Sequence, residues 1–208
     1  PFILPEANRT MHRAFAYLVK TRCLDPKVVS VFARRHMIYE DAKYHNAVFV
    51  GFDVDGIPRH AHKRGTCQRG KPFKGNVESC DPRYSFHWIG KSDTVYVFEA
   101  PIDMLSFISM YQKDWMGHSY VALCGVAEHA LVQLLEDVPH LSKITLCLDH
   151  DKAGIEAGER IKKRLSERGY RNVFPLFSCQ KDWNEDLQAL QKPPPEFVAE
   201  CQTVTQMM

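Results

Sequence analysis

The spacing of apolar and polar positions divides the chain into two unlike halves. From Glu6 to about Lys20, Met11, Phe15, Leu18 and Val19 recur at helical spacing, which predicts an opening helix. Asp25 followed by Pro26 reads as an N-cap and first helical residue, and Val28, Val29 and Phe32 give this second, shorter helix its inward face. Asn46 to Phe52 is predicted to be a strand. Asp55-Gly56 is a tight-turn signal, and Arg59 to Lys63 is the return strand of a hairpin. Gly65 to Asp81, rich in Gly, Lys and Arg, reads as a mobile basic loop, and Tyr84 to Ile89 as a further strand.

At Gly90-Lys91-Ser92-Asp93 the pattern changes. Val95-Tyr96-Val97-Phe98 is a continuous apolar run, as expected for a strand covered on both faces. A helix is predicted from about Ile102 to Tyr111, a strand at Tyr120–Leu123 and a helix from about Glu128 to Leu135. A strand at Ile144–Leu148 precedes a helix from about Ala153 to Arg168, with Ala153, Ala157, Ile161 and Leu165 on one stripe and Gly169 ending it. Asn172 to Leu176 gives a fourth strand and Trp183 to Gln191 a last helix; Pro193 to Met208 is read as a tail without assigned function. Strands alternating with helices imply right-handed βαβ units and a mostly parallel sheet. The expected architecture is therefore α/β: a smaller, basic α+β domain over residues 1–92, then a mostly parallel sheet flanked by helices over 93–192.

Composition narrows the class. The fractions of apolar and charged residues are those of an ordinary globular protein, and 208 residues allow one large domain or two small ones. The longest apolar runs, Ala47–Phe52 and Tyr120–Leu123, are strand-sized, so no membrane partner is expected. The opening Pro1-Phe2-Ile3-Leu4-Pro5 has neither a basic n-region nor an initiator Met, which is expected of a processed chain or a fragment. Seven scattered cysteines, an odd number without C-x-x-C spacing, favour reduced thiols and a cytoplasmic location. His60, His62, Cys67 and Cys80 could be combined into a zinc set, but structural zinc sites show close ligand pairs, and ordinary loop and strand positions account for them better. Charge is uneven. Residues 1–92 hold 16 Lys+Arg against 8 Asp+Glu, whereas 93–208 hold 11 against 17, an asymmetry expected of a polyanion-binding surface beside a metal site and equally of two unrelated solvated faces.

Parallel sheets bind ligands at the carboxyl ends of their strands. Glu99 directly follows the first parallel strand, Asp149 and Asp151 follow the third, and Asp182 and Asp186 follow the fourth, so the order delivers acids to one sheet edge. Asp151 would equally serve as N-cap of the next helix, and Asp103 suits the positive end of its own helix as well as an outer metal shell. Glu99, closing a buried strand, has no capping duty. Hard cations such as Mg²⁺ take one or two carboxylates together with phosphate and water, the chemistry this edge would support.

Val97-Phe98-Glu99-Ala100-Pro101-Ile102-Asp103 resembles the glutamate motif of the Toprim fold, shared by bacterial primases, type IA and type II topoisomerases and certain nucleases. Leu148-Asp149-His150-Asp151-Lys152-Ala153-Gly154 looks like its Asp-x-Asp motif, and Lys181-Asp182-Trp183-Asn184-Glu185-Asp186 is similar to the acidic segment that follows in primases. Ala122-Leu123-Cys124-Gly125 stands where that family has a glycine-containing turn. Tyr17-Leu18-Val19-Lys20-Thr21-Arg22 and the strand ending His62-Lys63-Arg64-Gly65 resemble the segment before Toprim in bacterial-type primases, and the whole resembles Toprim proteins of plasmids and conjugative elements.

The resemblance implies metal-dependent phosphoryl transfer on nucleic acid in DNA replication, foremost primase-like nucleotidyl transfer. Glu99, Asp149 and Asp151 would be catalytic and would hold Mg²⁺ (or Mn²⁺), joined by Asp103 or Asp182. Lys63, Arg64, Arg69, Lys71 and Lys74 would bind a single-stranded DNA template or nucleoside triphosphates. An upstream zinc-binding module or a helicase would be a partner outside this chain. A Toprim nuclease would use the same edge with water as nucleophile, and a non-catalytic DNA-binding module of a mobile element is the reading of another class. A topoisomerase is disfavoured, because none of the eight Tyr is placed as its nucleophile.

Overall fold

The computed structural model describes residues 1–67, 73–125 and 127–191. Helix α1 (His12–Ala16) continues as a π-helical turn at Tyr17–Thr21, and α2 spans Pro26–Arg34. Asp25 caps α2, its side chain accepting from the backbone N–H groups of Lys27 and Val28. The predicted opening helix starts about six residues late. Residues 6–8 are instead drawn into strand-like pairing, with Ala42 N–H donating to Glu6 and Asn8 N–H to Glu40, and these long-range bonds override the helical pattern.

Four antiparallel strands follow in spatial order: β1 (Ile38–Glu40), β2 (Ala47–Phe52), β3 (Pro58–Arg64) and β4 (Lys74–Asn76). β1 was not predicted. β4 lies inside the segment read as a mobile loop, because Lys-Gly-Asn has no strand propensity and pairs only through its neighbour β3. In β2, Val48 and Val50 pack on a small outer cluster while Ala47 and Phe49 face the main core.

The predicted strand at Tyr84–Ile89 is shorter: a 3₁₀ turn at Pro82–Tyr84, then β5 (His87–Trp88). β5 leaves the first half and joins a second, five-stranded sheet with β6 (Thr94–Phe98), β7 (Ser119–Ala122), β8 (Lys143–Leu146) and β9 (Asn172–Pro175), in the order β5-β7-β6-β8-β9. β6 to β9 are parallel to their neighbours and β5 is an antiparallel edge. The intervening helices are α3 (Pro101–Met110), α4 (His129–Asp137) and α5 (Lys152–Glu167), and α6 (Trp183–Gln191) packs on α3.

Alternation along β6 places the helices on opposite faces. Val95 and Val97 join α4 and α5 in one core, while Tyr96 and Phe98 join α3, α6 and α2 in the other. The second core includes the cluster of Phe32, Phe86, Trp88 and Trp115, with Phe32 lying 5.3 Å from Phe86 and 5.7 Å from Trp115. These rings seat α2 against the second sheet, so the two halves share one interior. Gly169 ends α5 at φ +92°, as its sequence position predicts. Among the described residues no helix is long and apolar enough to cross a membrane.

Candidate active site

In the order β7-β6-β8-β9, β6 connects toward β7 while β8 connects toward β9, so the chain departs in opposite directions from β6 and β8. The crevice at such a switch point is where open α/β sheets bind ligands. Glu99 leaves the end of β6 and Asp149 the end of β8, and both line a cleft of about 510 Å³ between the two sheets. The ladder persists past the formal strand ends, with Cys124 N–H donating to Glu99 O and Cys147 N–H to Val97 O. The indole N–H of Trp183 donates to Cys147 O, which anchors the start of α6 behind the same edge.

The two acids are poorly neutralised. Glu99 Oε1 and Asp149 Oδ1 are buried without a hydrogen-bond partner among the described residues. Burial pushes the Asp149 carboxyl up to about 7, with Glu99, Asp182 and Asp151 adding to the shift. Burial also raises Glu99, opposed by the Asp149 backbone N–H that its carboxylate accepts. Asp103 sits beneath them, buried, and is held well above the carboxylate range by desolvation and by Asp182 and Asp149; its Oδ1 accepts from Asn184 N–H at 3.3 Å. Asp182 lines the cleft and accepts from Glu185 N–H in the first turn of α6.

Asp151 is placed otherwise than the expected metal set. It caps α5, its Oδ1 accepting from Gly154 N–H at 3.0 Å, and its Oδ2 lies 3.6 Å from Lys181 Nζ at the rim. The Gly154 bond and the Lys181 charge lower its pKa. The capping role therefore holds, and Asp151 reaches the cleft through its charge on Glu99 and Asp149.

The opposite wall is basic. Arg64 and Lys74, paired in register across β3 and β4, line the cleft, and Arg22 joins them from the end of the π-helical turn. Among the described residues none of these three cations has a carboxylate within ion-pairing distance. Arg22 Nε (2.8 Å) and Arg64 Nε (3.4 Å) both donate to the Tyr17 hydroxyl, and Arg22 also reaches Asn184 Oδ1 at 3.2 Å. Holding two guanidinium groups on one neutral acceptor is costly unless an anion shares them. Lys63 does not take part as expected: strand alternation turns it to the other side of β3, where its ammonium sits 5.5 Å from the Phe73 ring centre. Arg69 and Lys71 lie outside the described residues.

Sequence reasoning passed over Arg22, His62, Asn76, Lys181 and Asn184, all of which line the cleft. The alternation His62-x-Arg64, on the strand that resembles the segment before Toprim in primases, is the available signal for His62. His60, His62, Cys67 and Cys80 form no metal set: among the described residues no three or more His, Cys, Asp or Glu side chains stand in ready ligating geometry. A hard cation needs less than that, one or two carboxylates supplemented by phosphate and water. Glu99 and Asp149 bring two carboxylates to the cleft, each with an oxygen unpartnered among the described residues.

Comparison with known proteins bears on the fold that carries this cleft. Residues 96–187 match the family model described as Toprim-like. This range is a Toprim-like domain. Toprim domains generally bind divalent metals. Residues 16–92 match a second model, described as a protein of unknown function (DUF3991). The chain is 24% identical over 202 residues to the uncharacterized protein pXO2-78 of Bacillus anthracis, covering 86% of this chain and 58% of that one. It is 30% identical over 97 residues to the uncharacterized protein MG010 of Mycoplasma genitalium, covering 46% and 42%. The chain spans about half the length of the curated relatives it matches. Among solved structures, the primase fragment of the bacteriophage T7 primase-helicase protein superposes with TM-score 0.59 at 18% identity, over 79% of this chain and 66% of that one. The E. coli primase catalytic core gives 0.59 at 14% identity, over 88% and 70%. The DnaG primase catalytic domain bound to single-stranded DNA gives 0.59 at 14%, over 89% and 72%. The fold carrying the Toprim-like domain is thus that of a primase core.

Proposed function

We propose that the cleft carries out metal-dependent, primase-like nucleotidyl transfer on a single-stranded DNA template. The observation that supports this most is the facing of opposites: two half-buried carboxylates, each with a buried, unpartnered oxygen, on the Toprim-like edge, and across from them three cations with no carboxylate partner among the described residues. Glu99 and Asp149 would hold Mg²⁺ or Mn²⁺, with Asp151 and Asp182 adding negative charge around it. A bound divalent ion would offset the charge that develops on phosphate oxygens during displacement. Arg22, Arg64 and Lys74 hold and orient the triphosphate. A nucleotide 3′-hydroxyl would attack the α-phosphorus, the new P–O bond forming as the bond to pyrophosphate breaks and the hydroxyl proton passing to solvent water. A place in the DNA replication of a mobile element belongs to the same proposal.

Incubation with single-stranded template, labelled nucleoside triphosphates and Mg²⁺ or Mn²⁺ is expected to give short new strands. Glu99→Gln should lower their yield by about 10²-fold or more, since a preorganised electrostatic group at a phosphoryl-transfer centre is worth that much. Shortening of the template in place of new strands would make the protein a Toprim nuclease. Neither product, with template still bound, would leave a binding module.

A further inference from the structure

One side chain on the basic wall has the wrong chemistry for phosphate. His62 lies on β3, opposite Phe49 of β2 and Asn76 of β4, and lines the cleft among N–H donors. It offers a lone pair instead, and the reason can be followed atom by atom. The carbonyl oxygen of Cys124 only accepts, so the Asn76 atom 3.2 Å from it is the amide nitrogen. Asn76 Oδ1 therefore faces His62 Nδ1, at 2.7 Å. Oδ1 also only accepts, so Nδ1 carries the hydrogen and Nε2 of the neutral ring is bare. Burial, opposed by the Asn76 hydrogen bond and aided by Arg64 and Lys74, lowers the His62 pKa and so favours the neutral ring. The tautomer is fixed from across the cleft, because Cys124 follows β7 of the second sheet while Asn76 and His62 belong to the first.

Phosphate oxygens are acceptors and gain nothing from this lone pair; a hydroxyl does. Arg64 is two residues further along the same strand, roughly 6.6 Å away, with Lys74 beside it. For a nucleotide whose phosphates engage those cations, the sugar hydroxyls are the first donors met beyond the phosphates. We propose that His62 Nε2 accepts a hydrogen bond from a sugar hydroxyl of the bound nucleotide and so selects which sugars the site takes. This assignment rests on the nucleotide-binding reading above. An analogue lacking the hydroxyl leaves a desolvated acceptor unpaired, which is penalised more than the loss of an exposed bond.

Calorimetric titration of the protein with ATP, 2′-deoxyATP and 3′-deoxyATP in Mg²⁺ tests the assignment. ATP is expected to bind about tenfold or more tightly than one of the two analogues, and the penalised analogue identifies the hydroxyl. His62→Phe, which keeps a ring but no acceptor, should bind all three alike, with the loss falling on ATP. His62→Gln, which can present an oxygen, should keep part of the preference, a rescue that a merely structural role would not give. Equal affinities in the wild type, or a preference that survives in His62→Phe, would overturn the assignment while leaving nucleotide binding in place. No binding of any nucleotide by the wild type would remove the parent reading and this one with it.

Discussion

Asp149→Asn is expected to lower nucleotidyl transfer by about 10³-fold while making the metal-free protein more stable at pH 8. The first effect follows from removing one of two carboxylates available to a cation, a change at the centre of charge development. The second follows from linkage. The folded-state value of Asp149, about 7, lies above its ordinary 3.8, so folding favours the protonated form. The group therefore penalises folding fully above pH 7, and the penalty fades as pH falls toward 4. Asparagine resembles the protonated carboxyl and escapes it. Because Asp149 is only half-buried, the gain is discounted to on the order of 1 kcal/mol, a few degrees in Tm for a chain of this size. Thermal melts in chelator at pH 8 and near pH 4 read both limbs. A variant less stable than wild type at both pH values would show that Asp149 serves the fold instead of a ligand.

Gly154→Ala is expected to damage stability and activity together. A Cβ there would lie 2.1 Å from Asp149 O and 2.9 Å from Asp149 C, and both are backbone atoms that no rotamer change can move. The helix-propensity gain of up to about 1 kcal/mol is outweighed by overpacking of about 1–3 kcal/mol. The strain is relieved by shifting the loop that carries Asp149, and a displacement on the order of 1 Å at a reacting centre can cost about 10²-fold in rate. Gly158, one turn along α5, is the internal control. Its Cβ would meet only the Leu148 side chain at 3.8 Å, so Gly158→Ala should keep activity and hold or raise stability. Denaturant melts and template-dependent synthesis on the two variants give the comparison. Full activity and stability in Gly154→Ala would refute the close-approach role of the glycine.

The second half of the fold was legible because its strands are covered on both faces, so apolar runs such as Val95–Phe98 and Ile144–Leu148 stand out and helices separate them. The acidic edge was legible for a related reason: strand order alone brings Glu99 and Asp149 to adjacent strand ends. Which acid faces the cleft was not legible. Asp149 and Asp151 differ only in that the latter reaches the N-terminus of α5 and caps it, and the stripe assigned to Ala153 belongs to Gly154, which packs on the Asp149 backbone. In the first half, β1 and β4 have three residues each and owe their conformation to pairing partners far along the chain, which local propensity does not report. The basic wall was half read. Arg64 and Lys74 were expected, whereas Arg22 reaches the cleft only through a π-helical turn whose register no spacing rule gives, and Lys63 was turned away by the same alternation that brings in His62.

Diffraction from crystals grown with Mn²⁺, read through its anomalous signal, addresses the shared-carboxylate site most directly. The peak is expected in the cleft, within roughly 2.0–2.6 Å of one oxygen each from Glu99 and Asp149. At saturating Mn²⁺, no peak there, or a peak elsewhere with both carboxylates satisfied by protein donors, would contradict it.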